Sequence, residues 1–287
     1  MEMKLSIVSH VKGDGDILLA WFQYYLRLGV SSFHLIVHGS RDENRTLYSL
    51  LNRFPIVIED EYRSQFDSLE KAERINSLLA KMTGQWILLV DSDEFVECPY
   101  RSIKSTVRML RLAGRNALYA PMLQHICSDG SLDTPETIAD PFQTMALCST
   151  DLYTRMGVNA SISKFPLLYC LEDTKLVEGG NHTCPTANRA ASLLGVTHHF
   201  KFRRSVSERL IARIDSAHSW RHESVGFKGY LASHGDRLPT NGTFPYSRDE
   251  LFRRGLLQGF SLRSVSRRFA RTVRRIGRHD DALEPQE

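Results

Sequence analysis

From Lys4 to Val90 the chain alternates between two kinds of segment, and that alternation constrains the fold more than any other feature. "KLSIVSH" (4–10), "SFHLIVH" (32–38), "PIVIED" (55–60) and "WILLV" (86–90) are short apolar runs that read as strands. Between them, "DILLAWFQYYLRLG" (16–29), "RTLYSLLNRF" (45–54) and "DSLEKAERINSLLAKMTG" (67–84) carry apolar residues at helical spacing. Asp14 or Asp16 is available to cap the first helix and Gly29 to stop it. Asp67 and Glu70 have capping-box spacing at the start of the third, which closes at Gly84. Strands and helices in strict alternation predict an α/β fold, a mostly parallel sheet flanked by helices. Beyond it, "RSIKSTVRMLRLAG" (101–114) and "SVSERLIARIDSAHSW" (205–220) read as helices and "NALYAPMLQ" (116–124) as a strand. Periodicity weakens between 125 and 195, which reads as loops with short strands.

The stretch "WILLVDSDEF" (86–95) joins the most apolar strand to three carboxylates, Asp91, Asp93 and Glu94. In such sheets the ligand crevice lies at the carboxyl ends of the strands. The strand is then apolar because it is central, and the acids mark its functional end. Two carboxylates after a strand can converge on one hard cation, Mn²⁺ or Mg²⁺, which also binds substrate phosphates. The plainer alternative is a pair of acids that cap the strand and face water.

Other classes are excluded by composition. The 287 residues fit one large domain or two small ones, and an apolar share of 42% supports a core. No apolar run reaches the roughly twenty residues that span a bilayer. "MEMKLSIVSH" lacks the apolar segment of a signal peptide, so a cytoplasmic location is expected. The five cysteines are scattered without a CxxC pair, which reads as reduced thiols rather than a zinc site or disulfide framework.

The strand-end acids sit in a segment that resembles the DxD region of GT-A-fold glycosyltransferases, in particular the family-2-like branch with a hydrophobic-D-x-D-E-F block. The resemblance extends upstream through "HVKGDGDILLAWFQYYLRLGVSSFHLIVHGSRDENRTLYSLL". Downstream it runs through "SKFPLLYC", "EGGNHTC" and "THHFKFRRSVSERL", which are similar to the branch's Lys, Gly-x-His and His-Phe-x-x-Arg-Ser segments. It covers most of residues 4–215. Val37 and His38 stand where the branch has an Asp-Asn-type pair, while Gly39, Ser40 and Asp42 are retained.

The resemblance implies a metal-dependent transfer of a sugar from a nucleotide-sugar donor to a saccharide or lipid-linked acceptor. Lys12, Asp14, Asp42, Asp91 and Lys164 would bind the donor, and Asp91, Asp93 and His182 the Mn²⁺ or Mg²⁺, with His198 and His199 as competitors for the histidine position. The branch is mostly inverting and needs a general base, for which Glu94, Glu136, Asp140 and Asp151 are candidates. The rival enzyme reading is a haloacid-dehalogenase-type phosphatase, whose Asp-x-Asp follows the first strand. A catalytically inactive GT-A-like binding module is the non-enzyme reading.

The basic residues are concentrated at one end. "SLRSVSRRFARTVRRIGRH" (261–279) holds seven arginines and no acid, and Leu262, Val265, Phe269, Val273 and Ile276 fall on one helical face. A basic amphipathic helix predicts binding to an anionic membrane surface, at the inner face of the cytoplasmic membrane. Without interleaved aromatics or a known motif, nucleic acid is not the expected partner. Residues 1–245 are thus expected to form the catalytic domain and 246–287 a basic helical tail. The pathway implied is surface polysaccharide or lipopolysaccharide assembly.

Overall fold

The computed structural model describes residues 4–100, 102–215 and 221–259. β1 (Ser6–Val11), α1 (Leu18–Arg27), β2 (Ser32–His38), α2 (Arg45–Leu50), β3 (Ile56–Tyr62), α3 (Ser68–Lys81) and β4 (Trp86–Leu89) follow one another as the periodicity predicts. Next come β5 (Glu94–Glu97), α4 (Ile103–Leu112), β6 (Ala117–Ile126), α5 (Pro141–Thr144), β7 (Leu147–Ser149), α6 (Leu152–Arg155) and β8 (Ser163–Tyr169). The described chain ends with β9 (Arg189–Leu194), β10 (Val196–His199), α7 (Val206–Asp215), α8 (Arg221–Ser233), β11 (Phe244–Pro245) and α9 (Arg248–Arg253).

The main sheet path runs β11-β7-β6-β8-β4-β1-β2-β3. Its β3-β2-β1-β4 block is wholly parallel, the α/β arrangement expected. From β4 onward the pairing is mixed: β8 lies antiparallel between β4 and β6, and β10 is antiparallel to β5 but parallel to β6. Alternating side chains feed two cores on opposite faces. Ile7, Phe33, Leu35 and Leu88 pack with Trp21, Phe22 and Leu47 of α1 and α2 and with Val107 of α4. Val8, Ile36, Ile87 and Leu89 pack with Ile75, Leu78 and Leu79 of α3. β4 is therefore covered on both sides, which is why its sequence is apolar without alternation.

The third helix starts as its sequence predicts, with the Asp67 carboxylate accepting from the N–H groups of Leu69 and Glu70. The first does not. Its N-cap is Ile17, with no side-chain cap, because the carboxylates of Asp14 and Asp16 turn away to a buried arginine, Arg203. The 125–195 region is more ordered than expected, since β8 is a central strand of the sheet. Helix α8 is a further element that periodicity did not reveal. The expected boundary at 245/246 falls inside the packed unit: Arg248 pairs with Glu97, Leu251 and Leu257 are buried, and Gln258 bridges to Leu194. The basic stretch 261–279 lies outside the described residues.

Candidate active site

A cleft of about 860 Å³ opens over the carboxyl ends of β1 and β4. Its floor is the turn after β4, where the N–H of Glu94 donates to the carbonyl of Asp91 at 3.1 Å. Both oxygens of Asp91 are held by ammonium groups, Oδ1 by Lys71 at 2.7 Å and Oδ2 by Lys164 at 2.9 Å. The lysines are almost fully covered, while Asp91 keeps 30% of its side chain open to the cleft. Burial pushes the Asp91 carboxyl up, but Lys164 and Lys71 outweigh it and hold the group well below the usual carboxylate range. Lys164 also pairs with the fully buried Glu94, whose carboxyl burial pushes up.

Asp93 is in a different environment. Its Oδ2 lies 3.5 Å from His199 Nε2 and 3.8 Å from the Arg203 guanidinium. Burial raises its carboxyl, and His199 followed by Arg203 brings it below the usual range. Arg203 is completely buried and donates to Asp14 Oδ1 at 2.6 Å, to Asp16 Oδ2 at 2.8 Å and to the carbonyl of Phe200. Asp14 also accepts from Arg209 at 2.7 Å and from Ser92 Oγ.

Several expected roles change on this geometry. Asp14 lines the cleft, and its carboxylate already accepts from Arg203, Arg209 and Ser92. Asp42 is exposed and outside the cleft, and Glu43 lines it instead. Lys12 and Lys164 line it as expected. Both oxygens of Asp91 are engaged by ammonium groups, so a metal ion placed on it would sit beside two covered cations. The four base candidates are otherwise engaged: Glu94 is buried against Lys164, Asp140 caps α5, Asp151 pairs with Arg155, and Glu136 is exposed outside the cleft. Glu94 lines the cleft together with Glu178, Glu208 and Glu223.

The three histidines separate clearly. His182 lines the cleft with its Nδ1 donating to the carbonyl of Ser163 at 2.7 Å. Burial and then Lys164 push it down to about 3, so it is neutral. The loop that carries it is pinned by Asn181, which takes a left-handed backbone (φ 45°) and donates to the Leu89 carbonyl at 2.7 Å. Gly179 is required there, because a Cβ would lie 2.9 Å from the Ser68 carbonyl and from Lys71 Cδ. His198 points away from the cleft into a closed network, with Nδ1 against His125 Nε2 at 2.9 Å and Nε2 against Glu97 Oε2 at 3.1 Å. His199, on the opposite face of β10, is the one beside Asp93.

Lys71 and Tyr153 belong to no motif in the sequence, and Arg203 enters only within the His-Phe-x-x-Arg-Ser segment, with no role assigned. Lys71 left a signal: it lies in the buried stripe of α3 with Ala72, Ile75, Leu78 and Leu79, where a lysine must find a counter-charge.

Among the described residues no three His, Cys, Asp or Glu side chains converge as a metal cage. Asp93 and His199 nevertheless fit a hard divalent cation as one edge of its shell, since such ions bind through one or two side chains plus substrate phosphates and water.

No family model matches the chain, and no curated protein matches it. Among solved structures it is similar to S. aureus TarS 1–349 in complex with UDP-GlcNAc, at 11% identity over 84% of this chain and 75% of that one, with a TM-score of 0.34. It is also similar to a 4-diphosphocytidyl-2C-methyl-D-erythritol synthase, at 12% identity over 89% and 99% of the two chains and a TM-score of 0.27. An apo UDP-glucose pyrophosphorylase gives 7% identity over 83% and 89%, with a TM-score of 0.28. Overlaps at this level carry no functional argument, and the reading of activity rests on the cleft's own residues.

Proposed function

We propose that the protein is a cation-assisted GT-A-type glycosyltransferase that moves a sugar from a nucleotide-sugar donor to a saccharide or lipid-linked acceptor. The observation that carries the reading is the environment of the two aspartates: Asp91 clamped by two lysines, Asp93 facing a histidine, both at the floor of one cleft. Asp91, fixed at both oxygens yet open to the cleft, is suited to accept hydroxyl hydrogens of a ribose or sugar. The cleft is lined by eight carboxylates against five lysines and arginines, so a donor diphosphate enters against a net negative lining. Asp93 and His199 would hold a divalent cation, whose positive charge would offset that of a departing diphosphate. An inverting displacement draws its general base from Glu178, Glu208 or Glu223. The phosphatase reading asks Asp91 to act as a nucleophile, and two ammonium groups on its oxygens oppose that.

A thermal-shift screen of nucleotide sugars with and without Mn²⁺ tests the proposal. A ligand that binds only the native state raises the melting temperature according to its concentration over its Kd. Mn²⁺ should enlarge the shift that the donor gives alone, and Asp93→Asn should abolish that enlargement while melting as a folded protein. An unchanged Mn²⁺-dependent shift in folded Asp93→Asn would sink the site assignment.

The membrane surface is the proposed location of the acceptor. No helix among the described residues is long and apolar enough to cross a bilayer. Residues 261–279 combine an apolar face with arginines that each contribute about 1 kcal/mol at an anionic surface. Truncation after Gly259 should remove co-sedimentation with anionic vesicles, which should also weaken as salt rises. Equal sedimentation of the full-length and truncated chains at low salt would dismiss the membrane role.

A further inference from the structure

His199 stands in register with Gln124 on the neighbouring parallel strand β6, and both meet Tyr153 at the start of α6. Gln124 is 3% exposed and Tyr153 5%. The Tyr153 hydroxyl donates its single proton to Gln124 Oε1 at 2.9 Å. Toward His199 Nδ1, 3.3 Å away, the same oxygen offers only a lone pair, so the ring must donate from Nδ1. In a neutral imidazole that leaves Nε2 bare. In that neutral ring the bare nitrogen faces Asp93 Oδ2 at 3.5 Å as a second acceptor, whereas a protonated ring would donate there and draw the carboxyl down.

We propose that Tyr153, braced by Gln124, is a positioning residue that holds His199 in its Nδ1–H tautomer and so turns Nε2 and the Asp93 carboxylate into one edge of the cation site. The inference rests on the cation-assisted reading above. Without the Tyr153 oxygen, the ring proton has no acceptor at Nδ1 and a carboxylate waiting at Nε2. It then moves to Nε2, donates to Asp93, and closes the edge from within. A cation must break that hydrogen bond to enter. Of the three, His199 alone sets such a nitrogen against a carboxylate at ion-pair distance. Both ring nitrogens of His198 are partnered, and His182, also Nδ1–H through the Ser163 carbonyl, is pushed down by burial and the Lys164 ammonium.

The test uses the full-length chain in two measurements. Long-range proton–nitrogen correlation spectra of the metal-free protein, labelled at histidine nitrogens and held at mildly alkaline pH, report which ring nitrogen carries the proton. The His199→Asn spectrum assigns the peaks. Electron paramagnetic resonance of unbound Mn²⁺ gives the affinity. The wild type should show His199 protonated at Nδ1. Tyr153→Phe keeps the ring that packs against Phe202 and Phe227, and it should move the proton to Nε2. Its Mn²⁺ affinity should fall by about the 10–100-fold typical of losing an outer partner of a metal-binding histidine. Gln124→Met frees the tyrosine proton to turn toward Nδ1 and should shift both readings the same way by less. Protonation at Nε2 in the wild type overturns the proposal, as does a Tyr153→Phe chain with unchanged tautomer and unchanged affinity. A wild type that shows the Nδ1–H tautomer yet takes up no Mn²⁺ overturns the cation reading instead and leaves the tautomer assignment standing.

Discussion

His198 and His199 are neighbours on one short strand, and the two faces of β10 treat the same side chain in opposite ways. On the back face the ring nitrogens of His125 and His198 are all answered, by the Met145 carbonyl, by each other and by Glu97, which Tyr246 and Arg248 also engage. On the front face His199 is tied at one nitrogen and meets a carboxylate at the other, at a distance too long for a good hydrogen bond. A closed polar network fixes structure, whereas an open one leaves room for something the chain does not supply. Residue type and burial alone would have ranked His198 first.

Alanine at each position should break the comparison most sharply. His198→Ala strips one partner from the buried Glu97, which keeps Tyr246 and Arg248, and should destabilise the protein by about 1–3 kcal/mol in chemical denaturation. His199→Ala should cost under about 1 kcal/mol in the same experiment, yet weaken Mn²⁺ binding by about 10–100-fold or more. The reverse pattern would mean that the faces have been assigned the wrong way round.

Acid should act next, through the back face and the β1 strand end. Burial lowers the affinity of His10 and His125 for a proton well below the ordinary histidine value. The unfolded chain therefore takes up protons below about pH 6.5 that the folded chain refuses, and stability must fall as pH falls. The slope should approach about 1.4 kcal/mol per pH unit for each such group. Urea denaturation at descending pH measures it, and His10→Asn should flatten the curve. A slope unaltered by that substitution would show that His10 is protonated in the fold.

The smallest effect is expected at Asp42, which stands outside the cleft. Asp42→Asn should change stability by less than about 0.5 kcal/mol and leave the Mn²⁺-dependent donor shift intact. A lost shift would restore the donor-binding role that the geometry removes.

The parallel block was legible because every one of its elements has its own period and stop signal. β8 was not, because Pro166 lacks the N–H that an interior strand needs. The structure accommodates it at an irregularity: ladder pairing with β6 shifts between Leu118 and Ala120, and pairing with β4 begins only at Leu167. α8 was masked by Gly226 and Gly229, which lower helix propensity. In the site, Asp91 and Asp93 announced themselves at a strand end. Their partners did not, because Lys71, Arg203 and Tyr153 acquire meaning only from groups brought to them across the fold.

Arg203 has one more implication, for the order in which the molecule can form. It joins Asp14 and Asp16, near the start of the chain, to Asp93 and to the Phe200 carbonyl. Until it arrives, three carboxylates crowd together with no buried guanidinium between them. The first four strands have their helices and their apolar faces by Leu89, and they leave the ribosome first. Their carboxyl end must wait for a residue made more than a hundred positions later. Contacts this distant in sequence are slow to close. The cleft is therefore the last part of the sheet to mature, and a chain cut short before Arg203 is expected to keep its strands but leave their carboxyl ends splayed by charge.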